Sequence, residues 1–123
     1  MIINELLHAS LLVKDTARAL KFYQEILGLK VDGARPDLGY PGAWLWVGRR
    51  QIHLLELPNP DPIDGRSAHG GRDRHLALSV SDVAELRHAL EAAGIVYTLS
   101  KSGRKALFCR DPDGNALEFI KSE

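Results

Sequence analysis

The chain has 123 residues, 45% hydrophobic and 26% charged, with 16 Lys and Arg against 16 Asp and Glu. Its length and composition suit one core able to bury about two-thirds of the unfolded surface, and the charge balance argues against nucleic acid or an anionic membrane as main partner. MIINELLHASLLVKD carries no basic leader or uninterrupted apolar segment, and the single Cys109 has no disulfide partner; a cytoplasmic location is expected, with Cys109 a small core residue.

Residues 6–13, LLHASLLV, alternate like a strand, with Leu7, Ala9, Leu11 and Val13 on one face and His8, Ser10 and Leu12 on the other. Asp15 is placed to cap a helix whose Ala19, Leu20, Phe22, Tyr23, Ile26 and Leu27 form an apolar stripe, and Gly28 is a natural stop. A short strand near 29–31, the turn-rich GARPDLGYPG and strands at 43–47 and 51–57 complete a β-α-β-β-β order. Residues 58–71, PNPDPIDGRSAHGG, crowd Pro, Gly and Asp together and read as an exposed connection. The plan then repeats. RHLALSV is a strand, Asp82 with Glu85 resembles a capping box, and Val83, Leu86, Leu90 and Ala93 keep helical spacing up to Gly94. IVYTLS, KALFC and NALEFIK supply three more strands, the last two joined by DPDG. The expected organisation is module one at 1–58, a linker at 59–71 and module two at 72–123.

The repeat can be tested at its histidines, since His75 lies 75 − 8 = 67 positions after His8. At that offset HASLLVKDTA becomes HLALSVSDVA, keeping the His, Leu11 with Leu78, Val13 with Val80, and Asp15 with Asp82. Near the module ends His53 aligns with Glu118, at 118 − 53 = 65. Parity then assigns faces. Leu and Val pack on the helices, which sends His8 and His75 the other way; Ile52 and Leu54 do the same for His53, and Leu117 and Phe119 for Glu118. The expected fold is α+β, two paired β-α-β-β-β modules forming a curved sheet around a metal-binding cleft. Adjacent strands are about 4.8 Å apart, so first-strand and last-strand side chains can share one ion at bonds of about 2.0–2.2 Å. Three imidazoles and a carboxylate suit a divalent Zn, Ni, Fe, Co or Mn. His53 is the dispensable member, because two His and one Glu still make a metal site with open positions.

From LLHASLLVKDTARALKFYQEILGLKV through QIHLLEL and RHLALSVSDV to FCRDPDGNALEF, the chain resembles the glyoxalase, bleomycin-resistance protein and extradiol dioxygenase superfamily, the vicinal oxygen chelate proteins. FYQEILGLKV and DPDGNALEF are its most specific parts. The resemblance implies a divalent metal held by His8, His53, His75 and Glu118, a small-molecule substrate and a homodimer. Glyoxalases of this type usually have Glu where His53 stands, and related epimerases often Gln, a departure that bears on any transfer of the glyoxalase proton shuttle.

The expected function is a metal-dependent glyoxalase-like lyase or isomerase acting on a substrate chelated through vicinal oxygens, with Glu118 alternating between ligand and catalytic base. An Fe(II) extradiol ring-cleaving dioxygenase would use His8, His75 and Glu118 as a facial triad. SKSGRKALF, with Lys101, Ser102 and Gly103, is reminiscent of the ion-binding loop of fosfomycin-resistance transferases. A non-catalytic small-molecule binder would draw on Trp44 and Trp46, which share a strand face and otherwise serve as packing. Arg104, Lys105 and Arg110 are candidates for an anionic substrate or for plain solvation. His69 and His88 are expected at the surface, and Glu56 on the face away from the cleft.

Overall fold

The alternation at the start of the chain forms strand β1 over His8–Val13 in the computed structural model, which describes residues 1–122. Leu6 and Leu7 lie ahead of it and are exposed, so the strand is shorter than the alternation; its first paired residue is His8, opposite Gln51. Asp15 Oδ1 accepts from the Ala17 and Arg18 amides at 2.9 and 3.3 Å and starts helix α1, Thr16–Leu20. The chain then widens into a π-helical turn, Lys21–Ile26, where the sequence suggests a uniform helix. Across it the adjacent Phe22 and Tyr23 are both buried and meet edge to face at 4.9 Å. Gly28, at φ 75°, ends the segment in the left-handed region.

β2 (Lys30–Val31), β3 (Gly42–Val47) and β4 (Arg50–Glu56) complete the first sheet, in the order β1-β4-β3-β2. β1 and β4 are parallel; the other pairs are antiparallel. A side chain at Gly42 would meet the Leu54 carbonyl oxygen at 2.2 Å, so this crossing requires glycine. Val13, Ala19, Phe22, Tyr23, Ala43, Leu45, Ile52 and Leu54 form the core of this unit, which clusters as Met1–Pro60. The second unit is Asp61–Glu123.

The second unit repeats the topology. Its connecting segment contains one 3₁₀ turn, Gly70–Arg72, followed by β5 (His75–Val80). Helix α2 (Val83–Ala92) is capped by Asp82, whose carboxylate accepts from the Glu85 amide at 3.1 Å. β6 (Tyr97–Leu99), β7 (Ala106–Arg110) and β8 (Ala116–Lys121) follow, in the sheet order β5-β8-β7-β6, again with only the first pair parallel. Leu86 and Leu90 of α2 are buried with Leu107, Cys109, Leu117 and Phe119. The opposite face of β7 and β8 is buried too, at Phe108 and Glu118, and the Gly70 backbone lies over Ala116 and Phe108. Among the described residues no helix is long and apolar enough to cross a membrane.

Candidate functional site

The duplicated register puts the two candidate pairs in equivalent places. In the first unit Ser10 is opposite His53, so His8 lies two residues off on the same face; in the second, Ala77 is opposite Glu118 and His75 lies two residues off. Side chains in this diagonal relation are within reach of each other.

His8 and His53 are stacked, with ring centroids 3.9 Å apart and planes 15° from parallel. Trp44, directly opposite His53 on β3, stacks on its other face at 4.4 Å and 8°, giving a three-ring pile. Trp46, two residues on, is exposed. His53 Nε2 is 2.8 Å from Gln51 Oε1, and Gln51 Nε2 donates to Asp32 Oδ2 at 2.8 Å. Burial, reinforced by the nearby His8 and Arg35, holds the His53 pKa below its ordinary value and favours the neutral ring that a ligand needs. In the stack the ring planes run side by side, so bringing both rings to one ion takes rotation of at least one.

In the second unit His75 Nδ1 is 2.8 Å from the Asp73 carbonyl oxygen. A carbonyl only accepts, so Nδ1 carries the proton and Nε2 is the atom left for other chemistry. Nε2 lies 3.3 Å from Glu118 Oε1. At that distance the two atoms can share a proton or hold a cation between them. Glu118 is 3% exposed, and its Oε2 accepts from Arg104 Nη2 at 3.1 Å. Phe108, opposite Glu118 on β7, meets the His75 ring edge to face at 5.3 Å and walls that side. The donor types and the His75 tautomer fit a divalent metal. Among the described residues no group of three or more His, Cys, Asp or Glu side chains is gathered as one metal cluster; the four candidates come as the pairs His8–His53 and His75–Glu118.

Arg110 and His69 have different roles from those expected. Arg110 is neither solvated nor aimed at a ligand: Nη1 donates to Asp73 Oδ2 and the Gly114 carbonyl, both at 2.8 Å, and Nη2 to the Ser67 carbonyl at 2.6 Å. This fixes the segment that carries the Asp73 carbonyl, and Arg110 holds the Asp73 carboxyl below the usual range. His69, expected at the surface, is half-buried, with Nδ1 2.7 Å from Thr98 Oγ1 and its ring 4.7 Å from Phe108. A cavity of about 250 Å³ beside it is lined by Gly70, Thr98, Phe108 and Arg110 but by neither His75 nor Glu118. Lys101, Ser102, Gly103 and Lys105 are exposed, as is His88 on α2. Glu56 takes the helix side of its strand, where Oε1 accepts from the Thr16 amide at 2.8 Å. The reading of residue types passed over Gln51 and Asp32. Gln51 shares the His53 face by parity, a signal that was there to use; Asp32 sits in a turn, where no periodicity points to it.

Two units, each pairing a first-strand histidine with a last-strand donor on an identical mixed sheet, define a duplicated-module α+β protein. The chain belongs to the glyoxalase/bleomycin resistance protein/dioxygenase superfamily, whose family model matches residues 5–119. It is 31% identical to Glyoxylase I 4 of Arabidopsis thaliana, over 98% of this chain and 72% of that protein. It is also 31% identical to lactoylglutathione lyase of Haemophilus influenzae, over 97% of this chain and 93% of the relative. A solved glyoxalase family protein from Bacillus anthracis shares the fold, with a TM-score of 0.80 at 22% identity, over 100% of this chain and 98% of that one.

Proposed function

We propose that this chain is a divalent-metal-dependent glyoxalase-like enzyme, a lyase or isomerase, acting on a small substrate held through vicinal oxygens. The protein ligands in this reading are His8, His53, His75 and Glu118, two from each unit. The observation that carries it is the 3.3 Å approach of His75 Nε2, whose other nitrogen is tied to a carbonyl, to a buried Glu118 carboxylate. The same strand relation at His8 and His53 supports extending the set to the first unit.

A bound divalent ion, Zn, Ni, Fe, Co or Mn, supplies Lewis-acid polarisation of the substrate oxygens. Glu118 holds and returns the proton at the substrate carbon, with Arg104 on Oε2 steadying the carboxylate and Phe108 keeping water from one side. His8, His53 and His75 hold the ion in this reading. Exposed Ile2, Ile3, Leu6 and Leu7 support a homodimer that covers them, and a cytoplasmic location is part of the same reading.

The relatives named lactoylglutathione lyase make lactoylglutathione the first compound to assay. Metal analysis of the purified protein should find about one divalent ion per chain, and Glu118→Gln should abolish turnover while the protein stays folded. Metal-free, inactive wild-type protein, or full turnover by the Gln variant, refutes the proposal. An oxygen electrode separates it from ring cleavage, because lyase or isomerase turnover consumes no oxygen.

A further inference from the structure

The three-residue chain Asp32–Gln51–His53 has a direction that its chemistry imposes. The Asp32 carboxylate can only accept; its Oδ1 takes the Ala34 amide at 2.9 Å and its Oδ2 the Gln51 side chain at 2.8 Å. Gln51 must therefore present its NH₂ to Asp32 and its carbonyl oxygen to His53. That oxygen, 2.8 Å from His53 Nε2, can only accept in turn, so the His53 proton resides on Nε2. Asp32 is itself held in place, its amide donating to the Trp44 carbonyl at 2.8 Å on the strand that carries the stacked indole.

We propose that Asp32 and Gln51 are positioning residues that fix His53 as its Nε2–H tautomer, so that this histidine binds the metal through Nδ1 while His75 binds through Nε2. The inference rests on the metal reading above and deepens it, assigning to the first unit the kind of outer partner that sets ligand tautomer and basicity. It also assigns a role to two residues outside the proposed ligand set.

The test follows from the asymmetry between a carboxylate and an amide. In Asp32→Asn the Asn oxygen keeps the Ala34 amide, which turns the Asn NH₂ toward Gln51. Gln51 must then invert, offering its own NH₂ to His53 Nε2 and driving the proton to Nδ1. Full-length protein labelled with ¹⁵N-histidine, treated with chelator and then titrated with Zn²⁺, reports tautomer and ligating nitrogen for each ring in long-range ¹H–¹⁵N spectra. The expected result is His53 as Nε2–H in the wild type, with its Nδ1 shifted by zinc. Asp32→Asn should show the inverted tautomer and about 10- to 100-fold weaker zinc binding. Asp37→Asn, which alters a neighbouring loop carboxylate that accepts from the Gly39 amide, should match the wild type in both. A wild-type His53 protonated on Nδ1, or an unchanged tautomer in Asp32→Asn, overturns the relay. Zinc that shifts His8 and His75 but leaves His53 Nδ1 unmoved overturns this inference alone. Zinc that shifts none of the three histidines overturns the metal reading and this inference with it.

Discussion

Arg110 offers the most direct measurement of what holds the second unit's site together. Replacing it with Met keeps most of the aliphatic stem and removes three hydrogen bonds at once, to Asp73 Oδ2, the Gly114 carbonyl and the Ser67 carbonyl. Hydrogen bonds to an ionised group are worth about 1.5–3 kcal/mol each. The Arg110 side chain is 25% exposed and that of Asp73 16%, so water recovers part of the loss in the variant. The net cost expected is about 3 kcal/mol, or a drop of about 10 °C in Tm for a chain of this length.

The loss has a pH signature of definite sign. Arg110 is the main cause of the lowered Asp73 pKa, with the Arg74 amide and Arg66 adding to it against the opposing effect of burial. A carboxyl whose folded pKa is depressed contributes stability that is present above its unfolded value, about 3.9, and lost as pH falls through the folded value. The gap between wild type and Arg110→Met should be widest at neutral pH and narrow on acidification below about pH 4. Urea unfolding followed by circular dichroism from pH 7 to pH 3 measures it. A gap under about 0.5 kcal/mol at pH 7, or one that stays constant into acid, refutes the clamp.

Three further outcomes are expected. Asp82→Ala, which removes the acceptor for the Glu85 amide, should cost about 1 kcal/mol in chemical denaturation, and Asp82→Asn much less. Leu45→Ala opens a cavity at a fully buried site in the first sheet and should cost about 2–5 kcal/mol by the same measurement. The Cys109 thiol, buried and beside Asp111, has its pKa pushed up to about 12, so at pH 8 it should resist thiol reagents in the native protein and react promptly in denaturant.

The strands and caps were legible because each rests on a local rule. Asp15 and Asp82 precede apolar helical spacing and do cap; Ile52 with Leu54, and Leu117 with Phe119, settle the parity of His53 and Glu118 before any coordinates exist. The π-helical turn was not legible, since the same apolar stripe serves a helix of either winding. Nor was the work of Arg110. A lone arginine beside a turn has no sequence mark that separates a solvated charge from a clamp on three loop acceptors brought together by the fold. His69 escaped for the same reason: its partners Thr98 and Phe108 lie 29 and 39 residues away.

The duplication itself explains the asymmetry of the candidate site. Identical strand order and register give each unit one position diagonal to its first-strand histidine, and that position is a ring in one unit and a carboxylate in the other. A ring there gains the Trp44 stack and the Gln51–Asp32 chain, both of which suit a neutral side chain held still. A carboxylate there gains Arg104 and the His75 Nε2 atom, which suit a side chain that bears charge and exchanges a proton. In the proposed reading the same backbone would separate metal binding from proton transfer by the single residue that differs at this position between the repeats. Exchanging the two, His53→Glu with Glu118→His, tests that division: the carboxylate would face Gln51 Oε1 instead of a cation, so turnover should not recover even though the donor types are unchanged.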